Sequence, residues 1–182
     1  SQHAHAKILD VDTEAALKIE GVAGVILAED IPGKNDIAPV FENEPVLADG
    51  VVEYVGQPIA IILAETYDIA LKAIKKITVK YKVLKPVLTI KEALKRESYT
   101  FPPQIIERGN PLQGISEAKH KLKGKVSCGG QDHFYLEGQI ALVQPGEDKD
   151  MLVYSSTQHP TEAQHGVANI LGVPVNDITV EV

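Results

Sequence analysis

The sequence predicts an α+β protein in two units. Short apolar or alternating runs, such as "HAKILDVD", have the period of strands, whereas "TYDIALKAIKKI" has the period of an amphipathic helix. Runs of both kinds are interspersed along the chain. Between residues 98 and 111, the stretch "SYTFPPQIIERGNP" is rich in proline and turn-forming residues, which indicates a linker between two units.

Composition and charge exclude several classes of protein. The 182 residues are 44% hydrophobic and 24% charged, as in an average soluble globular protein. A net charge of −7 without a basic patch argues against a nucleic-acid partner. No apolar run reaches the roughly 18 residues of a membrane span. Cys128 is the single cysteine, so the sequence excludes an internal disulfide and multi-thiolate sites and indicates the reducing cytoplasm. We expect a buried, structural thiol.

The first part of the chain is predicted to form a strand, a helix and a second strand. In "HAKILDVD" we expect Ala6, Ile8 and Val11 to face inward. The helix "TEAALKIE" follows, with Thr13 placed to accept early backbone N–H groups as a cap. "VAGVILA" is continuously apolar, which predicts another short strand before a loop-rich stretch.

A strand, a helix and a strand follow in that order. "VGQPIAIILAE" predicts a buried strand, and "ITVKYKVL" alternates as a strand again. The helix between them is expected to direct Ile69, Leu71, Ala73 and Ile74 inward, with lysines on its other side. This order predicts a right-handed βαβ crossover. "LTIKEALKR" adds a short helix that Thr89 is placed to cap.

The second part of the chain is predicted to begin with the helix "LQGISEAKH" and the strand "KLKGKVSC". "GGQDHFYLEG" favours a turn or bulge before a core strand, with Phe134 and Leu136 packing inward. "QIALVQP" and "MLVYSST" predict a hairpin around "GEDKD". In "PTEAQHGVANILG", Pro160 and Gly172 are placed to begin and end a helix, and "ITVEV" predicts a last strand.

The stretch "STQHPTEAQH", residues 156–165, is a polar run between a predicted strand and a predicted helix. Ser, Thr and Pro are enriched at helix starts, so a helix cap is one interpretation. Gln158 suits a polar ligand better, because its amide both donates and accepts hydrogen bonds. A zinc site is a third interpretation, although no H-x-x-x-H spacing supports it. Its candidate ligands are His133, His159, His165 and Glu137.

Three longer stretches occur in a distinctive order, namely "EPVLADGVVEYVGQPIAIILAET", "GGQDHFYLEGQIALVQPGED" and "VYSSTQHPTEAQHGVANILGVPVNDITVEV". Together they resemble the molybdenum-cofactor-binding portion of the xanthine dehydrogenase and aldehyde oxidase family. The resemblance implies that residues 1–107 form the family's α/β hammerhead domain. It also implies that residues 108–182 are the N-terminal part of the first molybdopterin-binding domain.

The resemblance implies a molybdenum hydroxylase that oxidises purines such as xanthine and hypoxanthine, with water as the oxygen source. In this family the glutamine of the S-T-Q run lies next to molybdenum without being a direct ligand, and here that residue is Gln158. Electrons would leave the molybdenum–molybdopterin cofactor through iron–sulfur (Fe-S) clusters and a flavin (FAD) on other domains or subunits. The resemblance places no catalytic residue within these residues.

The family's "G-G-G-F-G-G-K-E" segment and its general-base glutamate are absent from the sequence. We therefore expect a fragment that is inactive and cofactor-free when isolated, with exposed apolar surface and an unpaired edge at "ITVEV". Its partners would be the remaining molybdopterin-binding domains, the Fe-S and FAD domains or subunits, and a purine or aldehyde substrate, with no nucleic acid and no membrane. The alternative is a stand-alone binding or assembly module that has the hammerhead fold and no catalysis.

Overall fold

Helices and strands are interspersed throughout the computed structural model, which describes residues 1–38 and 40–182. The strands are β1 (Ala6–Asp12), β2 (Val22–Ile26), β3 (Val51–Val52), β4 (Ile61–Ala64), β5 (Thr78–Val83), β6 (Ala141–Pro145), β7 (Met151–Ser155) and β8 (Ile178–Glu181). The helices are α1 (Glu14–Leu17), α2 (Tyr67–Ile74), α3 (Ile90–Arg96), α4 (Pro111–Glu117) and α5 (Pro160–Leu171). The strands form three sheets with the orders β3-β1-β5, β2-β4 and β6-β7-β8. Antiparallel pairing predominates among these strands, and the predicted α+β class is confirmed.

The chain divides into two compact units. The first comprises Ser1–Pro86 with Glu137–Val182 and holds the three sheets. The second comprises Val87–Leu136 and holds α3 and α4. In the described parts of the chain, no helix is long and apolar enough to cross a membrane.

The central strand of the first sheet, β1, contains a bulge. Its register against β5 shifts between Ile8 and Asp10, which leaves Leu9 as an extra residue with 63% exposure. The bulge places Val11 on the same side as Ala6, although an odd spacing would put them on opposite faces of a regular strand. Ala6 is fully buried and Ile8 and Val11 are partly buried, so the predicted inward residues are confirmed.

Threonine caps form only where the backbone is extended. Thr66 and Thr89 have extended backbones and accept hydrogen bonds from the N–H groups three residues on, at 3.3 and 3.1 Å. Thr13 has a helical backbone and makes no side-chain cap. Instead, the N–H of Glu14 donates to Oδ1 of Asp12 at 3.0 Å. The predicted cap at Thr89 is confirmed, and that at Thr13 is wrong.

The predicted crossover around α2 is wrong. β4 pairs antiparallel with β2, whereas β5 pairs antiparallel with β1 in another sheet. β4 is also shorter than predicted, and its residues alternate between exposed and half-buried. The preceding stretch turns instead, because Gly56 has φ +91° and the buried side chain of Gln57 accepts a hydrogen bond from the N–H of Glu53 at 2.7 Å.

The helix α2 buries a narrower stripe than its sequence predicts. Ala73 is fully buried and Ile69 is half-buried, as expected. Leu71 and Ile74 are 41% and 56% exposed, so their predicted burial is wrong. A helix of eight residues that packs on a two-stranded sheet buries only some of its apolar side chains.

A parallel crossover forms in the last sheet. β6 and β7 form the predicted antiparallel hairpin, and α5 then leads back to β8, which pairs parallel with β7. Val153, Ala168 and Ile178 are the buried residues of this crossover. As predicted, Pro160 begins α5, and Gly172 ends it with φ +66°.

The second unit contains little buried surface. The predicted strand "KLKGKVSC" is absent, because an alternating run needs a partner strand and none of the described strands pairs with it. Phe134 and Leu136 are 87% and 97% exposed, so their predicted inward packing is wrong. Cys128 is exposed as well, which contradicts the expected buried thiol.

Candidate functional site

The site is the loop that joins β7 to α5, residues 156–159. Gln158 lies on this loop, and its side chain is exposed. Its amide makes no hydrogen bond to any of the residues that the structure describes, so its donors and its acceptor are available to a ligand. Gln158 lies between β7 and α5, so its predicted position between a strand and a helix is confirmed.

The two hydroxyl groups before Gln158 fix the loop rather than cap the helix. The Oγ of Ser156 accepts a hydrogen bond from the N–H of Ile140 at 3.0 Å. The Oγ1 of Thr157 accepts a hydrogen bond from the N–H of His159 at 3.0 Å. His159 itself is the N-cap residue and makes no side-chain cap, so the helix-cap interpretation of the polar run is wrong.

The start of α5 adds free backbone donors next to Gln158. Pro160 has no N–H, and the N–H groups of Thr161 and Glu162 have no partner among residues 1–38 and 40–182. A helix start carries partial positive charge, so these donors suit an electron-rich polar group. Gln158 and the helix start thus offer hydrogen bonds rather than metal ligands.

A cleft of about 570 Å³ lies along the exposed face of α5. His165 and Glu162 line it from the helix, and Asp36 lines it from the loop before β3. The carboxylate of Asp36 accepts backbone N–H bonds, foremost from Ala38, and these bonds lower its pKa. Asp36 is therefore a charged, structural residue of the cleft wall.

The end of α5 is held by the loop that contains Gly33. The N–H of Gly33 donates to the carbonyl oxygen of Ile170 at 2.8 Å, and that of Lys34 donates to the oxygen of Asn169 at 2.9 Å. A Cβ on Gly33 would overlap the oxygens of both acceptors. The helix that follows Gln158 is thus fixed at its far end by glycine-dependent contacts. The sequence signalled only a turn here.

The zinc interpretation finds no support in the described residues. They contain no group of three His, Cys, Asp or Glu side chains that could hold a metal ion. Within the described residues, the histidines near Gln158 are therefore not part of a metal-binding group.

Comparisons with known families account for nearly the whole chain. The family model described as "aldehyde oxidase and xanthine dehydrogenase, a/b hammerhead domain" matches residues 1–85. The model described as "molybdopterin cofactor-binding domain" matches residues 96–182, which include Gln158. The chain belongs to the xanthine dehydrogenase and aldehyde oxidase family. The boundary predicted between residues 107 and 108 stays a prediction.

Members of both branches of this family are similar to the chain. Xanthine dehydrogenase/oxidase of Gallus gallus is 40% identical over 100% of the chain and 13% of its own length. Aldehyde oxidase 2 of Macaca fascicularis is 42% identical over 100% of the chain and 13% of its own length. The chain therefore spans about an eighth of the length of these curated relatives.

Solved structures confirm the hammerhead and molybdopterin-binding folds. Quinoline 2-oxidoreductase from Pseudomonas putida 86 matches with a TM-score of 0.82 and 26% identity, over 100% of this chain and 25% of that one. Aldehyde oxidoreductase from Desulfovibrio gigas has a TM-score of 0.83 and 23% identity, over 99% of this chain and 22% of that one. The second likeness shows the fold alone.

Proposed function

We propose that this chain is part of a molybdenum hydroxylase that oxidises a purine carbon with water as the oxygen source. The observation that carries the proposal is the exposed amide of Gln158, which has no partner among the described residues and lies within the stretch matched by the molybdopterin cofactor-binding model. Its position on a strand-to-helix loop puts it beside the free N–H groups of Thr161 and Glu162. These donors and acceptors fit a polar cofactor or substrate.

Gln158 is proposed to lie next to the molybdenum and to orient the substrate by hydrogen bonding. An amide cannot take up a proton at neutral pH, so Gln158 is not a general base. When bound, the molybdenum–molybdopterin cofactor supplies the oxidation chemistry, and the chain supplies orientation and polar contacts.

The remaining machinery is proposed to lie outside these 182 residues. One cysteine cannot hold an iron–sulfur cluster, so the Fe-S clusters are proposed to lie on other domains or subunits. The FAD is proposed to lie there as well. The remaining molybdopterin-binding domains are the other proposed partners. The isolated chain is proposed to be inactive and without cofactor, and the full-length protein to act in the cytoplasm.

Aldehyde oxidation is the second candidate activity. Aldehyde oxidase 2 of Macaca fascicularis is 42% identical to the chain, while the xanthine dehydrogenases of Gallus gallus and Dictyostelium discoideum are both 40% identical. These values favour neither substrate class. The test must therefore offer the full-length protein both a purine and an aldehyde.

The experiment is a hydroxylation assay of the full-length protein in ¹⁸O-labelled water with xanthine, hypoxanthine and an aromatic aldehyde. We expect the label in the purine product and a loss of roughly 100-fold in kcat for Gln158→Ala, the size of a positioning defect. Gln2→Ala is the matched control, because Gln2 is also exposed and makes no hydrogen bond to the described residues. Product formed only from the aldehyde would favour the second candidate activity. No product from either substrate class would leave the binding-module alternative standing.

A further inference from the structure

The side chain of Ser156 connects the Gln158 loop to the segment before β6. Its Oγ accepts from the N–H of Ile140 at 3.0 Å and lies 3.2 Å from the carbonyl oxygen of Gly138. The backbone N–H of Ser156 also donates to the carbonyl oxygen of Ile140 at 3.1 Å. One serine thus makes hydrogen bonds through both its backbone and its side chain to a segment sixteen to eighteen residues away in the chain.

We propose that Ser156 is a positioning residue for Gln158. The Gln158 loop has no buried apolar side chain of its own, since residues 155–157 are only half-buried and residues 158–160 are exposed. Hydrogen bonds are therefore what fix its conformation. Ser156 anchors the start of the loop to Ile140, and the Thr157–His159 bond closes the turn that carries Gln158.

The neighbouring serine shows that this role belongs to one position. Ser155, the last residue of β7, makes no side-chain hydrogen bond to the residues that the structure describes. Ser155 and Ser156 have identical side chains and are both half-buried. A substitution at Ser155 therefore controls for the loss of a hydroxyl at this end of the strand.

The inference rests on the proposed function, because positioning Gln158 matters only if Gln158 meets the substrate or cofactor. Four holoenzymes separate the two claims: wild type, Ser156→Ala, Gln158→Ala and the double variant. We expect Ser156→Ala to lower kcat about tenfold at unchanged molybdenum content, because the loss of one net hydrogen bond has an effect of about that size. We expect Ser156→Thr to restore the rate and Ser155→Ala to leave it unchanged.

The decisive comparison is the effect of Ser156→Ala when Gln158 is already alanine. If Ser156 acts through Gln158, Ser156→Ala lowers kcat no further in the Gln158→Ala background. If Ser156 is an independent structural residue, Ser156→Ala lowers kcat by the same factor in both backgrounds. Equal losses in both backgrounds, or a fully active Ser156→Ala enzyme, would overturn the positioning role and leave the proposed function intact. A fully active Gln158→Ala enzyme would overturn the proposed role of Gln158 itself.

A second readout does not depend on activity. In the cofactor-free full-length protein, we expect Ser156→Ala to speed hydrogen exchange at the amide of Ile140, which donates to the Ser156 Oγ. Ser156→Thr should keep the wild-type exchange rate. An unchanged rate in the alanine variant would contradict the anchoring contact on which the proposal rests.

Discussion

At the scale of single residues, Gln158 and Gln164 have identical side chains but differ in their hydrogen bonding. Both are followed by histidine in the sequence. Gln164 donates through Nε2 to the carbonyl oxygen of Ile178 at 2.6 Å and so ties α5 to β8, whereas Gln158 has no partner among the described residues. The resemblance to a known family selected Gln158, but no pattern in the sequence assigned a structural role to Gln164. That role depends on where β8 lies.

Gly33 is the residue at which a small substitution should matter most. We expect Gly33→Ala to cost about 1–3 kcal/mol by overpacking, because the new Cβ overlaps the carbonyl oxygens of Asn169 and Ile170. Hydrogen exchange of the Lys34 amide in the full-length protein measures the local effect. Gly166→Ala is the control, since a Cβ there meets nothing and alanine favours a helix. Wild-type exchange in Gly33→Ala would contradict these contacts.

Asp36 should make its loop sensitive to acid. Its pKa is lowered, first by the hydrogen bond from the Ala38 N–H and next by that from Asn43. A carboxyl group whose folded pKa is depressed stabilises the fold above its unfolded pKa, and this contribution is lost as the pH falls through the folded pKa. We expect the amide NMR signals of Ala38 and Asn43 to titrate together below about pH 4. Asp36→Asn should abolish this transition, and its persistence would contradict the assignment.

At the scale of elements, two strand–helix–strand runs have similar sequence patterns and different pairings. β7, α5 and β8 form a parallel crossover, whereas β4 and β5, on either side of α2, pair with β2 and β1. Period and composition predicted most elements correctly, because those are local properties. Strand pairing depends on strands that are distant in the chain, so the local sequence around α2 could not predict it. The only indication of the β1 bulge in the sequence was the odd spacing of the residues predicted to face inward.

The parallel crossover should depend on Ile178. This side chain is 1% exposed and packs in the cluster with Val153 and Ala168. We expect Ile178→Ala to lower the free energy of unfolding of this unit by about 2–5 kcal/mol. Leu142→Ala, in the same sheet but 59% exposed, should change it by less than about 0.5 kcal/mol. Denaturant unfolding of both variants tests this, and equal effects would contradict the assigned core.

At the scale of the whole molecule, many apolar side chains of the unit Val87–Leu136 are exposed. Leu122, Phe134 and Leu136 are among the many apolar side chains left almost fully exposed. The sequence could not reveal this, because "KLKGKVSC" and "GGQDHFYLEG" have patterns that suit strands and cores. The chain spans 13% of the length of its curated relatives.

This surface should make the separated 182 residues associate. We expect them to form oligomers at micromolar concentration and to bind a hydrophobic dye, because large exposed apolar patches and an edge strand such as β8 promote association. The full-length protein should bind little dye under the same conditions. Sedimentation and dye fluorescence compare the two. A monodisperse, dye-free 182-residue chain would favour the stand-alone binding module.

Elemental analysis of the purified full-length protein tests most directly whether these residues contribute to a molybdenum site. We expect molybdenum close to one atom for each copy of this chain, and none in the separated 182 residues. Full-length protein that is folded, produced in a host able to make the cofactor, and still free of molybdenum would contradict this contribution.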